Sequence, residues 1–388
     1  MKKIRQFYLL LATMFIVAGG FTGCSDDDSD DDAFEKKEEA LKPAVEQYVN
    51  NTVIATYRSL ADAATDLYNA LAVLKEDKTQ DNLVKATDAW IKSRTYWELS
   101  EAFLFGAVAD FGIDPHIDTW PLDERAFLEE MANQGHLDGM DAEDGDIWAD
   151  QHLGFALLGF HGIEFILYKE GSPKNISEIT DNELIYATAV GGDLRNQCIR
   201  LEAAWAGLDN VSEEKQQLIE DRELVTGLST SRFNYSENML NAGNPGSLYR
   251  TVTDAAAAII EGCMDISAEV GEIKIGTAFS KEDVNYIESP YSFNSKTDFA
   301  DNIRSIANAY LGGADETKRG ASVSDYIKSV DQQLDADIKA SIINCIGKIG
   351  EIPTPFARNY ASQEAGAAME ACDELTTLLN SAKSKLQE

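Results

Sequence analysis

The residues of this chain best suited to chemistry are His161 and Glu164, set three apart in Leu157–Tyr168, "LLGFHGIEFILY". The other ten positions of that stretch are apolar or Gly. On a helix, positions i and i+3 share a face, so the imidazole and the carboxylate project into the same space. Apolar residues on every side of the helix predict burial all round. A lone buried carboxylate costs several kcal/mol in desolvation, so Glu164 requires a partner. Three partners fit: His161 itself, an Arg or Tyr from a neighbouring helix, or a metal ion. The plainer alternative is a satisfied polar pair in a core, with Glu164 held by Arg94. Against it stand Gly159 and Gly162, each costing a helix about 1 kcal/mol relative to Ala. Two such residues predict the close approach of another backbone or of a ligand.

The rest of the sequence restricts the chemistry. There is no His-Glu-x-x-His, and no second histidine at helical spacing from His161. His116 and His136 fall in expected loops, and His152 lies nine residues upstream. A metal at His161 would therefore draw mainly on carboxylates, which favours iron, manganese or an oxygen-rich site over structural zinc. A single His/Glu pair, reversed from the usual Glu-x-x-His order, argues against a dinuclear oxidase centre. The acidic stretch "DGMDAEDGDIWAD" satisfies no EF-hand register. Cys198, Cys263, Cys345 and Cys372 share no Cys-x-x-Cys spacing, leaving disulfides or buried thiols open and excluding a cysteine knuckle.

The elements that must position the pair read as all-helical, with only 8 prolines and apolar residues at three- and four-residue spacing. Two amphipathic helices meet at a turn near Lys78, the second ending at Gly106. "AVADFGIDPHIDTWPLDE" is expected as a loop, and "DIWADQHLGFALLGFHGIEFILYKEG" as one helix. Thr180 and Glu183 form a capping box opening a helix to about Leu208. A second bundle is expected from Ser212 through "EDRELVTGLSTSRFNYSENML" to the C-terminus. The layout suggests a divergent duplication, with a signal peptide over 1–23, a tether over 24–33, and bundles over 34–211 and 212–388.

The N-terminus carries a basic start (Lys2, Lys3, Arg5), an apolar run and small residues before Cys24, the pattern of an export signal. The Thr-Gly-Cys end resembles a bacterial lipobox, with Cys24 as the lipidated residue. The acidic run "SDDDSDDD" after it is expected to be a solvated tether. It is similar to the surface-export signal of Bacteroidetes lipoproteins, which implies an outer-membrane lipoprotein exposed at the cell surface, the periplasmic side being the alternative. The formal charge is −34, and losing the three basic residues of the leader moves it to −37. Such an acidic surface argues against nucleic acid and suits cations.

Three blocks in order resemble the imelysin-like family. They are Gly159-x-His161-x-x-Glu164; "AWIKSRTYWELSEAFLFG" with "IDTWPLDE"; and "ESPYSFNSKTDFADNIRSIANAYLG". The resemblance implies two helical bundles with the signature near their interface, in a family that holds both a named metallopeptidase and iron- or haem-uptake lipoproteins. It implies His161, Glu164 and Glu101 as metal ligands. Arg94, Trp120, Asp123 and Gly159, with Glu288, Ser292 and Asp298 from the second half, would contact the ligand. The implied function is binding of iron, another divalent metal or a metal-bearing ligand, alongside other uptake components. The alternatives are a metallopeptidase, with Glu164 or Glu101 as general base for a metal-bound water, and a non-enzymatic glycan- or protein-binding module using "IESPYSFNSKTD".

Overall fold

The computed structural model describes residues 28–388. Two units are distinguished: Met1–Lys37, described only as helix from Asp28, and Glu38–Glu388, which holds both candidate sites. The leader and Cys24 lie outside the described residues.

The chain is all-α, and among the described residues its strands are one short hairpin, β1 (Tyr168–Lys169) and β2 (Ser172–Pro173). Helix α1 (Asp28–Tyr48) runs through a π turn, Val49–Val53, into α2 (Ile54–Glu76). Helix α3 (Gln80–Glu98) returns beside it, capped by Thr79. The long α10 (Asp181–Ala206) completes this layer, and its capping box of Thr180 and Glu183 is formed as expected. In the second half of the sequence, α13 (Val252–Glu269), α15 (Ser295–Leu311), α17 (Gln332–Glu351) and α19 (Gln363–Gln387) pack on one another. The halves meet where α15 crosses α3, and where α13 and α15 meet the short turn Glu101–Phe103. Ala102 N donates to Ser305 Oγ at 3.0 Å across that junction. The apolar faces merge into one buried core, with Trp90, Trp97 and Phe160 deep within it.

Several local expectations are corrected. Helix α1 begins at Asp28, inside the acidic run. Helix α3 stops at Glu98 rather than at Gly106. The expected loop after it holds two one-turn helices, α4 (Ala107–Phe111) and α5 (Ile113–Ile117), so His116 stands on a helix. After α6 (Glu124–Ala132), His136 sits on α7 (Gln134–Met140). The single helix expected over 146–171 is broken into α8 (Gly145–His152), a short turn at Phe155–Leu157, and α9 (Gly159–Leu167). The break falls at Leu158, which is extended, and Gly159, whose φ is 71°. After α11 (Glu213–Asp221), residues 222–234 form no helix before α12 (Tyr235–Leu240).

Candidate functional site

Gly159 opens α9 instead of interrupting it, in a left-handed conformation that other residues adopt only at a cost. A Cβ there would lie 1.8 Å from the carbonyl oxygen of Ile117. The missing side chain lets the end of α5 press against the start of α9. Asp118, the next residue, thereby brings Oδ1 to 3.0 Å from His161 Nε2. From the other side, Trp90 Nε1 donates to Phe160 O at 3.0 Å and ties α9 to α3. The imidazole is held at both nitrogens, since Nδ1 lies 3.2 Å from Glu164 Oε2. The partner of Glu164 is therefore His161, joined by the second half of the chain. Its Oε1 accepts from Tyr291 N at 3.0 Å, and from Ser292 N and Ser292 Oγ at 2.7 Å each.

Behind this pair lies a dense charge cluster. Arg94, on α3, pairs with Asp118, with Glu98 at 2.5 Å and with Glu288 at 2.6 Å. Its Nε faces Asp298 at 3.8 Å, too far for a hydrogen bond. Asp118 Oδ2 accepts from Trp97 Nε1 at 2.8 Å. Lys274, in the π turn Val270–Ile275, lies 3.1 Å from Glu288, 3.7 Å from Glu98 and 3.8 Å from Glu101. All of these groups are buried, Arg94, Glu98, Glu288 and Asp298 with no exposure at all.

The balance of charge is uneven. Glu98, Glu101, Asp118, Glu164, Glu288 and Asp298 are six buried carboxyl groups facing Arg94, Lys274 and His161. Burial alone would lower the His161 pKa, but the hydrogen bonds to Asp118 and Glu164 outweigh it and push it up to about 9. At neutral pH the ring is thus an imidazolium donating from both nitrogens. Burial would raise the Asp118 carboxyl, yet Arg94 and His161 hold it well below the usual carboxylate range. Glu101, Glu288 and Asp298 are shifted upward, chiefly by burial. Asp114 is pushed to about 8 by burial and by Glu269. Among the described residues, Glu288 Oε2, Asp298 Oδ2, Asn302 Oδ1 and Trp120 Nε1 have no hydrogen-bond partner.

Two triads of donor atoms lie within 4.8 Å of one another: Asp118, His161 and Glu288, and then Glu98, Glu101 and Asp118. They share Asp118. One imidazole among several carboxylates suits a first-row transition ion better than a zinc-thiolate or an alkaline-earth site. To ligate, His161 Nε2 must first lose its proton.

The imelysin family model matches residues 53–382, most of the chain. The chain belongs to the imelysin family. It is 26% identical over 325 residues to "Iron-regulated protein A" of Synechococcus elongatus, covering 84% of this chain and 80% of that protein. A crystal structure from Parabacteroides distasonis, whose description proposes an iron-regulated protein A precursor, superposes with a TM-score of 0.76 at 30% identity. That match covers 90% of this chain and 95% of the other. An imelysin-like protein from Psychrobacter arcticum shares the fold at 12% identity, with a TM-score of 0.59 over 88% of this chain and 93% of its own.

Within this imelysin fold the signature residues divide by role. His161, Arg94, Glu288 and Asp298 stand in one cluster, and Glu101 joins it through Lys274. Glu164 and Ser292 meet at its edge, while Gly159 sets the backbone. The Trp120 ring lies 6.1 Å from His161 and 5.3 Å from Tyr286. Asp123 stands apart: it is exposed and caps α6, accepting from Ala126 N at 2.9 Å. Three central groups were not singled out from the sequence. Asp118 sits two residues before Trp120 in the quoted "IDTWP"; Glu98 stands four after Arg94 on one helix face; Lys274 is a lysine between isoleucines in "GEIKIG". Each carried a weak signal, a charged side chain in an apolar setting.

Proposed function

We propose that this imelysin is a surface-anchored lipoprotein, acylated at Cys24, that captures an iron ion or an iron-bearing ligand at the cluster around His161, Asp118 and Glu288. The division of the mature chain into bundles over 34–211 and 212–388, with the site drawing on both, belongs to the same proposal. The observation carrying it is the surplus of buried carboxyl groups over cations, with one oxygen each of Glu288 (Oε2) and Asp298 (Oδ2) left without a hydrogen bond among the described residues. Unpaired buried acceptors cost about 1–3 kcal/mol each, and a bound cation removes that cost. The name of the cyanobacterial relative supports iron among the candidates.

The cation takes the place of the proton on His161 Nε2 and favours the ionised forms of Glu288 and Asp298, which burial disfavours. Arg94 and Lys274 keep the carboxylates converged in its absence, and Glu164, anchored by residues 291 and 292, orients the ring through Nδ1. Binding therefore releases protons and strengthens as pH rises toward 9. Calorimetric titration of metal-free protein with Fe(II), Fe(III), Zn(II) and haem tests this, repeated in buffers of different ionisation enthalpy. The expected result is saturable binding with proton release, lost in the His161→Ala, Glu164→Ala double variant. No heat with any of the four, or unchanged binding by that variant, refutes it. Acylation is checked separately by labelling cells with radioactive palmitate, with Cys24→Ala as the control that takes up no label.

A further inference from the structure

His116 points away from the cluster just described, although it lies two residues from Asp118. Its Nε2 is 2.8 Å from Asp193 Oδ2 and 3.6 Å from Asp150 Oδ1. The three donor atoms come from α5, α10 and α8, and they lie within 4.8 Å of one another. We propose that His116, Asp150 and Asp193 form a second cation site, which takes a single first-row divalent ion.

The packing that builds it is specific. Asp146 and Asp150 occupy one face of α8, four residues apart. A Cβ on Gly192 would meet Asp146 Cβ at 2.8 Å, so α8 rests directly on α10 at this glycine. Asp146 is fastened there by Asn196 Nδ2 at 2.8 Å, Arg222 Nε at 2.9 Å and Arg195 at 3.1 Å. One turn further along α8, Asp150 arrives beside Asp193. Asp193 has no exposure, and its other oxygen is oriented by Gln197 Nε2 at 3.3 Å. An outer partner of this kind is what aims a ligating carboxylate. Asp150 is 44% exposed at its side chain, so the site opens to solvent on one side, with the half-exposed Phe155 ring 5.6 Å from His116 as its wall.

The pair of His116 and Asp193 is a normal hydrogen bond, and the third donor, Asp150, makes the geometry admit a metal as well. One ring N–H can hydrogen-bond one carboxylate, yet two converge on Nε2, with the Arg200 guanidinium the further charge acting on Asp150 and His116. Donors held about 2.1 Å from a common ion at tetrahedral or octahedral angles stand roughly 3.0–3.4 Å apart. The separations from Nε2, 2.8 and 3.6 Å, lie about 0.2 Å outside either end of that range, a shift that side-chain rotation covers. One imidazole with two carboxylates leaves coordination positions for water on the open side, and it suits Mn(II), Fe(II), Co(II) or Zn(II) more than calcium.

Co(II) is the probe, because its visible absorption reports nitrogen-oxygen coordination directly. The protein is titrated in the His161→Ala, Glu164→Ala background, so that the outcome does not depend on the site proposed above. The expected result is one equivalent of bound Co(II) with visible bands, weakened at least tenfold by Asp150→Ala and by Asp193→Asn. Asp150 is exposed, so its removal leaves the helical circular dichroism unchanged and separates loss of binding from loss of fold. A background variant that takes up no Co(II), or an Asp150→Ala form that binds it equally well, overturns the inference. Wild-type protein binding two equivalents supports both sites, and loss of either one is traced to its own variants.

Discussion

Replacing Gly159 by alanine puts a methyl group where the Ile117 carbonyl oxygen now lies, at 1.8 Å. Carbon and carbonyl oxygen normally approach no closer than about 3.3 Å, so one backbone must retreat by roughly 1.5 Å. The left-handed φ of 71° adds about 1–2 kcal/mol for any residue with a Cβ. The retreating segment carries Asp118, which loses its hold on His161 and Arg94 together. Losing hydrogen bonds between charged groups costs about 1.5–3 kcal/mol more, so the total is ~4 kcal/mol, at the upper end of what single substitutions do. Gly162→Ala is the control from the same motif. Its Cβ would meet the Tyr186 hydroxyl at 2.9 Å and Leu157 O at 3.0 Å, milder contacts without a positive φ. The gain in helix propensity, about 1 kcal/mol, offsets part of that strain. Urea denaturation followed by helical circular dichroism measures both. Gly159→Ala should lower the midpoint several times more than Gly162→Ala. Equal effects, or a Gly159→Ala protein as stable as wild type, would falsify the claim that this glycine exists to admit the Ile117 backbone.

Three further outcomes follow from the cluster and the core. The His161 pKa is raised in the fold, so its contribution to stability is complete below about 6.5 and is lost as pH rises through about 9. Asp114 and the other upshifted carboxyl groups act in the same direction, their stability falling as pH rises from the ordinary carboxylate range. Denaturation midpoints should decline between pH 6.5 and 9, and less steeply in His161→Gln; parallel slopes would contradict the assignment. Arg94→Met leaves Glu98, Asp118, Glu288 and Asp298 without their guanidinium and should cost about 3–5 kcal/mol at pH 7. Part of that loss should return at pH 5, where the stranded carboxylates protonate, and an equal deficit at both pH values argues against the mechanism. Cys198, Cys263, Cys345 and Cys372 are free and buried, and burial raises the Cys198 and Cys263 thiols far above their usual range. A thiol reagent should therefore reach none of the four in folded protein and all of them in urea; rapid reaction without denaturant would show that this core opens.

The Gly-x-His-x-x-Glu motif could be read directly because its information is local. Three-residue spacing put His161 and Glu164 on one face, and the apolar flanks required both to be partnered inside. The two glycines announced a close approach, and for Gly159 the neighbour is backbone. The helix break at Leu158–Gly159 was not legible, since a run of apolar residues carries the same period whether it forms one helix or two. Nor did spacing mark His116, which reads as a loop residue next to a proline.

By itself the sequence determined an all-helical chain, the capped helix from Thr180, a buried imidazole-carboxylate pair and membership signatures spread through both halves. Tertiary structure alone decided who meets that pair. Asp118 reaches His161 because two backbones touch at Gly159, while Lys274, Glu288 and the amides of Tyr291 and Ser292 arrive from the far half of the chain. The physical reason is that a local pattern fixes which side chains must be buried, whereas the partner of a buried charge is set by packing between elements distant in sequence.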